Sequence, residues 1–112
     1  MAHPDLIKKF AYYPRFDMQT YFAEMAEAAH DCRKMIEINT AGLCYPCAEV
    51  YPSMLALQAF CHAEVPCCVG SDTHSPEGVG KNIELAYKIM YEAGYRQLAV
   101  PLAGGEVAFM SL

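Results

Sequence analysis

The sequence predicts an α/β fold with parallel strands joined by right-handed crossovers. Three observations predict it. Helix-periodic stretches alternate with short β-branched or apolar runs in the order helix, strand, helix, strand, helix, strand. Connections are long after strands and short after helices, as expected of a sheet that carries its chemistry on one edge. One of the apolar runs leads directly into a carboxylate and an imidazole, Asp72-Thr73-His74.

Gln19 to Cys32 places Tyr21, Phe22, Met25, Ala26 and Ala29 at helical spacing, which predicts an amphipathic helix with Asp17 as its N-cap. Met35-Ile36-Glu37-Ile38-Asn39 alternates and is rich in β-branched residues, so it reads as a strand ending in a polar turn. Thr40 to Ser53, with Gly42, Pro46 and Pro52, is a long irregular connection, more often functional than structural. Ser53 is placed to cap a helix from Met54 to Ala63. Pro66 to Val69 is the next strand. Pro76 and Glu77 open a third helix over Val79 to Ala93, with Ile83, Ala86, Tyr87 and Met90 on one face and Gly94 closing it. Gln97 to Leu102 is a further strand, which Gly104-Gly105 joins to Val107-Ala108-Phe109-Met110 as a hairpin or final strand.

A chain of 112 residues is one domain at most. Its net charge of −5 and single basic doublet, Lys8-Lys9, argue against a nucleic-acid surface. No stretch reaches the roughly eighteen apolar residues of a membrane span. The N-terminus shows no secretory signal, so a cytoplasmic protein is expected. Gly-rich dinucleotide and P-loop motifs and the G-x-S-x-G elbow are absent. Among the six cysteines, Cys67 and Cys68 read as small core residues and Cys61 fits a helix rhythm. Cys44-Tyr45-Pro46-Cys47 is formally C-x-x-C, but it lies in a Pro-rich loop without a second ligand pair at zinc spacing.

The run Val65-Pro66-Cys67-Cys68-Val69 followed by Gly70 brings Asp72 and His74 out together at the C-terminal end of a buried strand. A carboxylate oxygen with an imidazole nitrogen suits a divalent cation such as zinc, manganese or iron. Taken alone, the pair reads more readily as an Asp or Ser capping the next helix with His74 merely exposed. His30 and His62 read as solvated. Glu37 reads as a structural charge partner or a support for the site.

Four phrases occur together and in order: Ala2-His3-Pro4-Asp5-Leu6-Ile7-Lys8-Lys9-Phe10, Glu37-Ile38-Asn39-Thr40-Ala41-Gly42-Leu43, Glu49-Val50-Tyr51-Pro52-Ser53 and Gly70-Ser71-Asp72-Thr73-His74. With them the chain resembles the PHP-domain histidinol phosphatases, which act in histidine biosynthesis. The resemblance covers essentially all of residues 1–112 and the latter part of the family's domain. It implies a partial distorted β/α barrel, TIM-like and seven-stranded when whole, of which the last three to four β/α units are present. It also implies a metal-dependent phosphomonoesterase acting on a small phosphorylated substrate through metal-activated water. His3, Asp72 and His74 match metal ligands, and Asp72 is also placed to manage a proton. Asn39, at the end of its strand, and Lys8, as a point charge, are candidate substrate contacts; a turn-forming Asn39 and a solvated Lys8 are the plainer readings.

Two departures accompany the resemblance. Where the family places basic residues after Gly42-Leu43, this chain has Cys44-Tyr45, which removes an expected phosphate grip. The family's H-x-H signature and a glutamate ligand lie upstream of the matched region, so the ligand set expected here is incomplete. The isolated chain is accordingly expected to be weakly active or inactive. Open strand edges further predict self-association into a homo-oligomer or pairing with a complementing N-terminal half. A non-catalytic remnant with vestigial metal affinity, and a metal or redox module at Cys44 and Cys47, are the competing readings.

Overall fold

Ile36 and Ile38 alternate with Glu37 and Asn39 along the first strand, and this alternation divides the molecule into a packed face and an open one. In a computed structural model describing residues Met1–Leu112, α1 (Gln19–Asp31), β1 (Ile36–Asn39), α2 (Met54–His62), β2 (Cys67–Gly70), α3 (Ile83–Glu92), β3 (Gln97–Pro101) and β4 (Val107–Ser111) follow in order. Strands β1 and β2 pair in parallel, Ile36 opposite Cys67 and Asn39 opposite Gly70. Strands β3 and β4 form a separate antiparallel hairpin, with Ala99 opposite Phe109. The alternation of elements is as expected and the Gly104-Gly105 connection makes the hairpin, but β3 does not join the parallel ladder, which holds only β1 and β2. No helix is long and apolar enough to cross a membrane.

The core lies on the Ile36 and Ile38 face. Phe22, Ala26 and Ala29 of α1, Ala56, Leu57 and Phe60 of α2, and Ala86 and Met90 of α3 pack there with Val65 and Cys67. All three helices therefore cover the same side of the β1–β2 sheet. Glu37, Asn39, Cys68 and Gly70 point by alternation to the other side. The outer edge of β1 is occupied as well. The Met1 ammonium donates to the Met35 carbonyl, and the Met1 carbonyl accepts from the Glu37 N–H at 3.0 Å, the slanted pattern of a parallel neighbour. Further along that edge, Asn39 and Tyr51 exchange two backbone hydrogen bonds of 2.7 and 2.9 Å.

Helix ends follow the sequence in part. Met18, not Asp17, is the N-cap of α1; Asp17 stands one residue earlier, where its Oδ1 accepts from the Gln19 N–H at 2.9 Å. Ser53 stands at the N-cap of α2 but makes no side-chain cap bond; its N–H donates instead to Asp5 Oδ2 at 2.7 Å. Gly94, at φ 114°, turns the chain out of α3 as expected. The third helix begins later than predicted. Pro76–Gly78 forms only a short 3-10 turn, and Gly80 and Asn82, at φ 74° and 62°, break the chain before Ile83.

Lys8 corrects a second expectation. It is not solvated but 3% exposed, with its ammonium 3.1 Å from Asp5 Oδ2 and 2.8 Å from Glu49 Oε2. It also donates to the Val50 carbonyl at 2.9 Å. Asp5 Oδ1 is buried with no hydrogen-bond partner, so the Lys8 ammonium and the Ser53 N–H, both on Oδ2, are what compensate that carboxylate. Lys8 thereby ties the N-terminal segment to the Glu49–Ser53 stretch. Replacing it by Met leaves Asp5 buried and unpaired and should cost about 3 kcal/mol in urea unfolding. Glu49→Gln, whose side chain is 47% exposed, should cost well under about 1 kcal/mol.

Tyr95 and Cys67 sit in the core, and the Tyr95 hydroxyl donates to the Val65 carbonyl at 3.0 Å. Burial pushes both groups above their ordinary pKa values of 10.0 and 9.0. The folded state thus keeps them protonated where the unfolded chain ionises, so stability is held below roughly pH 9 and falls progressively above it. Thermal melts should be flat through neutral pH and drop on the alkaline side. Tyr95→Phe should remove part of that drop above pH 10 while costing about 1 kcal/mol at pH 7 through the lost hydrogen bond.

Candidate functional site

Parallel pairing in register places the ends of β1 and β2 side by side, and the residues that follow both strands line one cleft. The cleft has a volume of about 330 Å³ and is bordered by Thr40, Cys44 and Tyr45 from the β1 side and by Ser71, Asp72 and His74 from the β2 side. Lys81 and Asn82, just ahead of α3, close it.

Two cross-links fix its walls. Thr40 Oγ1 donates to the Lys81 carbonyl at 2.7 Å, and the Gly80 N–H donates to Ser71 Oγ at 3.2 Å. Gly78 permits this path, because a Cβ there would stand 2.0 Å from Thr73 Oγ1. Thr73 Oγ1 in turn donates to the Ser75 carbonyl at 2.9 Å.

Asp72 is exposed and adopts φ 45°, a left-handed conformation that Asp tolerates better than most side chains. Its carbonyl lies 3.1 Å from His74 Nδ1. A carbonyl can only accept, so Nδ1 carries the proton and Nε2 keeps its lone pair. Carboxylate and Nε2 are the oxygen and nitrogen donors a borderline divalent cation takes. Both residues line the cleft.

His3 follows the Met1 segment on the far side of β1, roughly two strand spacings or about 10 Å from β2. It does not line the cleft. Its ring stands edge-on to Tyr51, with centroids 6.4 Å apart. No three His, Cys, Asp or Glu side chains are grouped to hold one cation. The structure thus brings Asp72 and His74 together and leaves His3 outside their cleft.

Asn39 is buried, with its amide committed locally: Oδ1 accepts from the Ala41 N–H at 2.9 Å and Nδ2 donates to Glu37 Oε1 at 3.0 Å. It caps the 3-10 turn Thr40–Cys44, the turn-forming role weighed for it. Glu37 has no cationic partner; its carboxylate lies against Gly70, where a Cβ would approach to 3.0 Å. Lys8 spends its ammonium on Asp5, Glu49 and Val50. His30 and His62 are exposed.

All six cysteines are free. Cys47 is buried, with Sγ 3.4 Å from the Gly42 carbonyl, whereas Cys44 is exposed at the cleft. Burial pushes the Cys67 and Cys68 thiols up, which keeps them unreactive.

Lys81 was not visible as a site residue in the sequence. It is the one lysine or arginine lining the cleft. The signal for it is Gly80-Lys81-Asn82, a helix-breaking trio just beyond the D-x-H turn.

No family model matches the chain. It is similar to a probable histidinol-phosphatase of Deinococcus radiodurans, with 31% identity over 96 residues that make up 86% of this chain. The matched region is 36% of that protein, so the chain spans little more than one third of the length of the curated relative.

Proposed function

We propose that this chain is the latter part of a metal-dependent phosphomonoesterase of the histidinol-phosphatase type, folded as one side of a distorted β/α barrel. The observation that carries the reading is Asp72 and His74 at the C-terminal edge of a parallel strand, within a segment similar to a probable histidinol-phosphatase. The placement of the helices supports the barrel. All three helices pack on one face of the β1–β2 sheet, as on the outside of a barrel wall; a doubly wound sheet carries helices on both. The opposite face bears Glu37 and Asn39, the polar positions a barrel interior would use near its mouth.

In this reading Asp72 and His74 hold one divalent cation, while His3, set against Tyr51 outside their cleft, would serve a neighbouring cation rather than this one. The chemistry such cations supply when bound is Lewis acidity, neutralising phosphate oxygens and lowering the pKa of a nearby water. Zinc, manganese and iron all suit this donor set. The protein's own part is to fix the two donors on a rigid strand end, with His74 held in one tautomer by the Asp72 carbonyl.

The grouping of only two ligands in the cleft favours a second reading for the chain by itself, a non-catalytic remnant with weak metal affinity. The two converge on one proposal for assembly: a further copy or a complementing N-terminal half covers the open sheet face. Exposed Ile7, Phe10 and Phe16 on the N-terminal segment and Phe109 and Met110 on β4 are apolar surface available to it.

Purified chain assayed on p-nitrophenyl phosphate with manganese or zinc tests the proposal. Metal-dependent turnover, weak for the chain alone, is expected to vanish with Asp72→Ala and on chelation. Metal affinity should fall roughly tenfold or more in both Asp72→Ala and His74→Ala. Metal binding that survives both substitutions and is lost on Cys47→Ser would move the site to the Cys44–Cys47 pair and sink this reading.

A further inference from the structure

An anionic substrate entering the cleft meets Asp72, whose charge repels it, and the stretch after Leu43 offers Cys44 and Tyr45 in place of cations. The nearest basic side chain on that side, Lys9, has its ammonium 3.9 Å from the centre of the Tyr45 ring and is held there by a cation–π contact. Lys8 is buried in its ion pairs. One cation is left for the cleft.

We propose that Lys81, with the Ser71 hydroxyl beside it, is the phosphate-gripping element of this cleft. The proposal deepens the phosphatase reading and rests on it for the identity of the anion. Lys81 lines the cleft opposite the β1 end, its side chain exposed and free of any ion pair. Its backbone is not free. The carbonyl accepts from Thr40 Oγ1 at 2.7 Å, and the preceding residue, Gly80, is bonded through its N–H to Ser71 Oγ at 3.2 Å. Both strand ends therefore hold the lysine, and Thr40 is itself 2% exposed.

The same bonds decide which donors remain. Thr40 and Thr73 give their hydroxyl protons to the carbonyls of Lys81 and Ser75. Ser71 Oγ accepts from Gly80, so its own O–H stays available to a ligand. An ammonium and a free hydroxyl on adjoining walls can take two oxygens of one phosphate. Helix α3 begins at Ile83, directly after this segment, but Glu84 in its first turn offsets its positive end, so Lys81 supplies the positive charge here.

The test is a titration of the ¹⁵N-labelled full chain with inorganic phosphate at low ionic strength, followed by a manganese titration. Phosphate-induced shifts are expected at Ser71, Gly80 and Lys81. Affinity should weaken about tenfold in Lys81→Met, recover in Lys81→Arg and stay unchanged in Lys34→Met, an exposed lysine away from the cleft. Equal affinity in Lys81→Met, shifts elsewhere, or no phosphate binding would overturn the proposal. Manganese broadening at Asp72 and His74 separates this outcome from the parent reading. If manganese binds there while phosphate ignores Lys81, the inference fails and the phosphatase reading stands. If phosphate selects Lys81 but manganese ignores Asp72, the anion cradle is supported and the metal-dependent reading falls.

Discussion

The register of one short parallel ladder controls the rest of this molecule. With Asn39 opposite Gly70, the polar residues leaving β1 and β2 emerge at the same height, and a cleft forms between them. A slip by one residue would turn Ile36 and Ile38 out of the core and drive Glu37 against the helices. Exposing each isoleucine forfeits about 1.5–3 kcal/mol, and burying Glu37 without a partner adds to that. Hydrophobic burial on one face therefore fixes the position of the chemistry on the edge, although no core residue touches the cleft.

The long stretch from Thr40 to Ser53 has little regular structure, yet its path is determined by a few contacts with distant residues. Gly42 packs so closely that a Cβ would meet the Glu49 carbonyl at 2.0 Å. Tyr51 closes the β1 edge through backbone bonds to Asn39, and Lys8 and Asp5 hold Glu49, Val50 and Ser53. Each ordered loop residue costs about 1–2 kcal/mol of backbone entropy, so a loop this long stays ordered only with such anchors. The Glu49-Val50-Tyr51-Pro52-Ser53 phrase is thus legible afterwards as an anchoring segment. Nothing local in the sequence says so.

Local features were read correctly and tertiary ones were missed. Helices α1 and α2, strands β1 and β2 and the Gly94 stop follow from periodicity and single-residue preferences. That Asp72 and His74 share one cleft was legible because both residues lie within one turn. The start of α3 was misplaced because apolar periodicity does not report that Gly80 and Asn82 adopt left-handed backbone. Lys8 was read as solvated because its burial depends on Glu49 and Val50, which lie 41 and 42 residues away. Lys81 was overlooked for the same reason: its place at the cleft is set by Thr40 and Ser71, neither of which is near it in sequence.

Completeness of the site and coverage of the sheet are one physical condition in the phosphatase reading. The helices pack on the Ile36 and Ile38 side, away from Glu37 and Asn39, and in that reading the cleft would offer two donors where a shared cation site needs more. Strands that continue the wall past Met1 would bring donors to the same rim, because parallel strands end on the same side. Those strands would also bury the open face. Assembly and ligand binding should therefore be coupled, and a cation bound between the two parts would stabilise their union by the margin with which the joined state binds it more tightly. Lys81 lies outside this coupling. It is held to strand ends already within the chain, so the anion binding proposed for it would not depend on further strands.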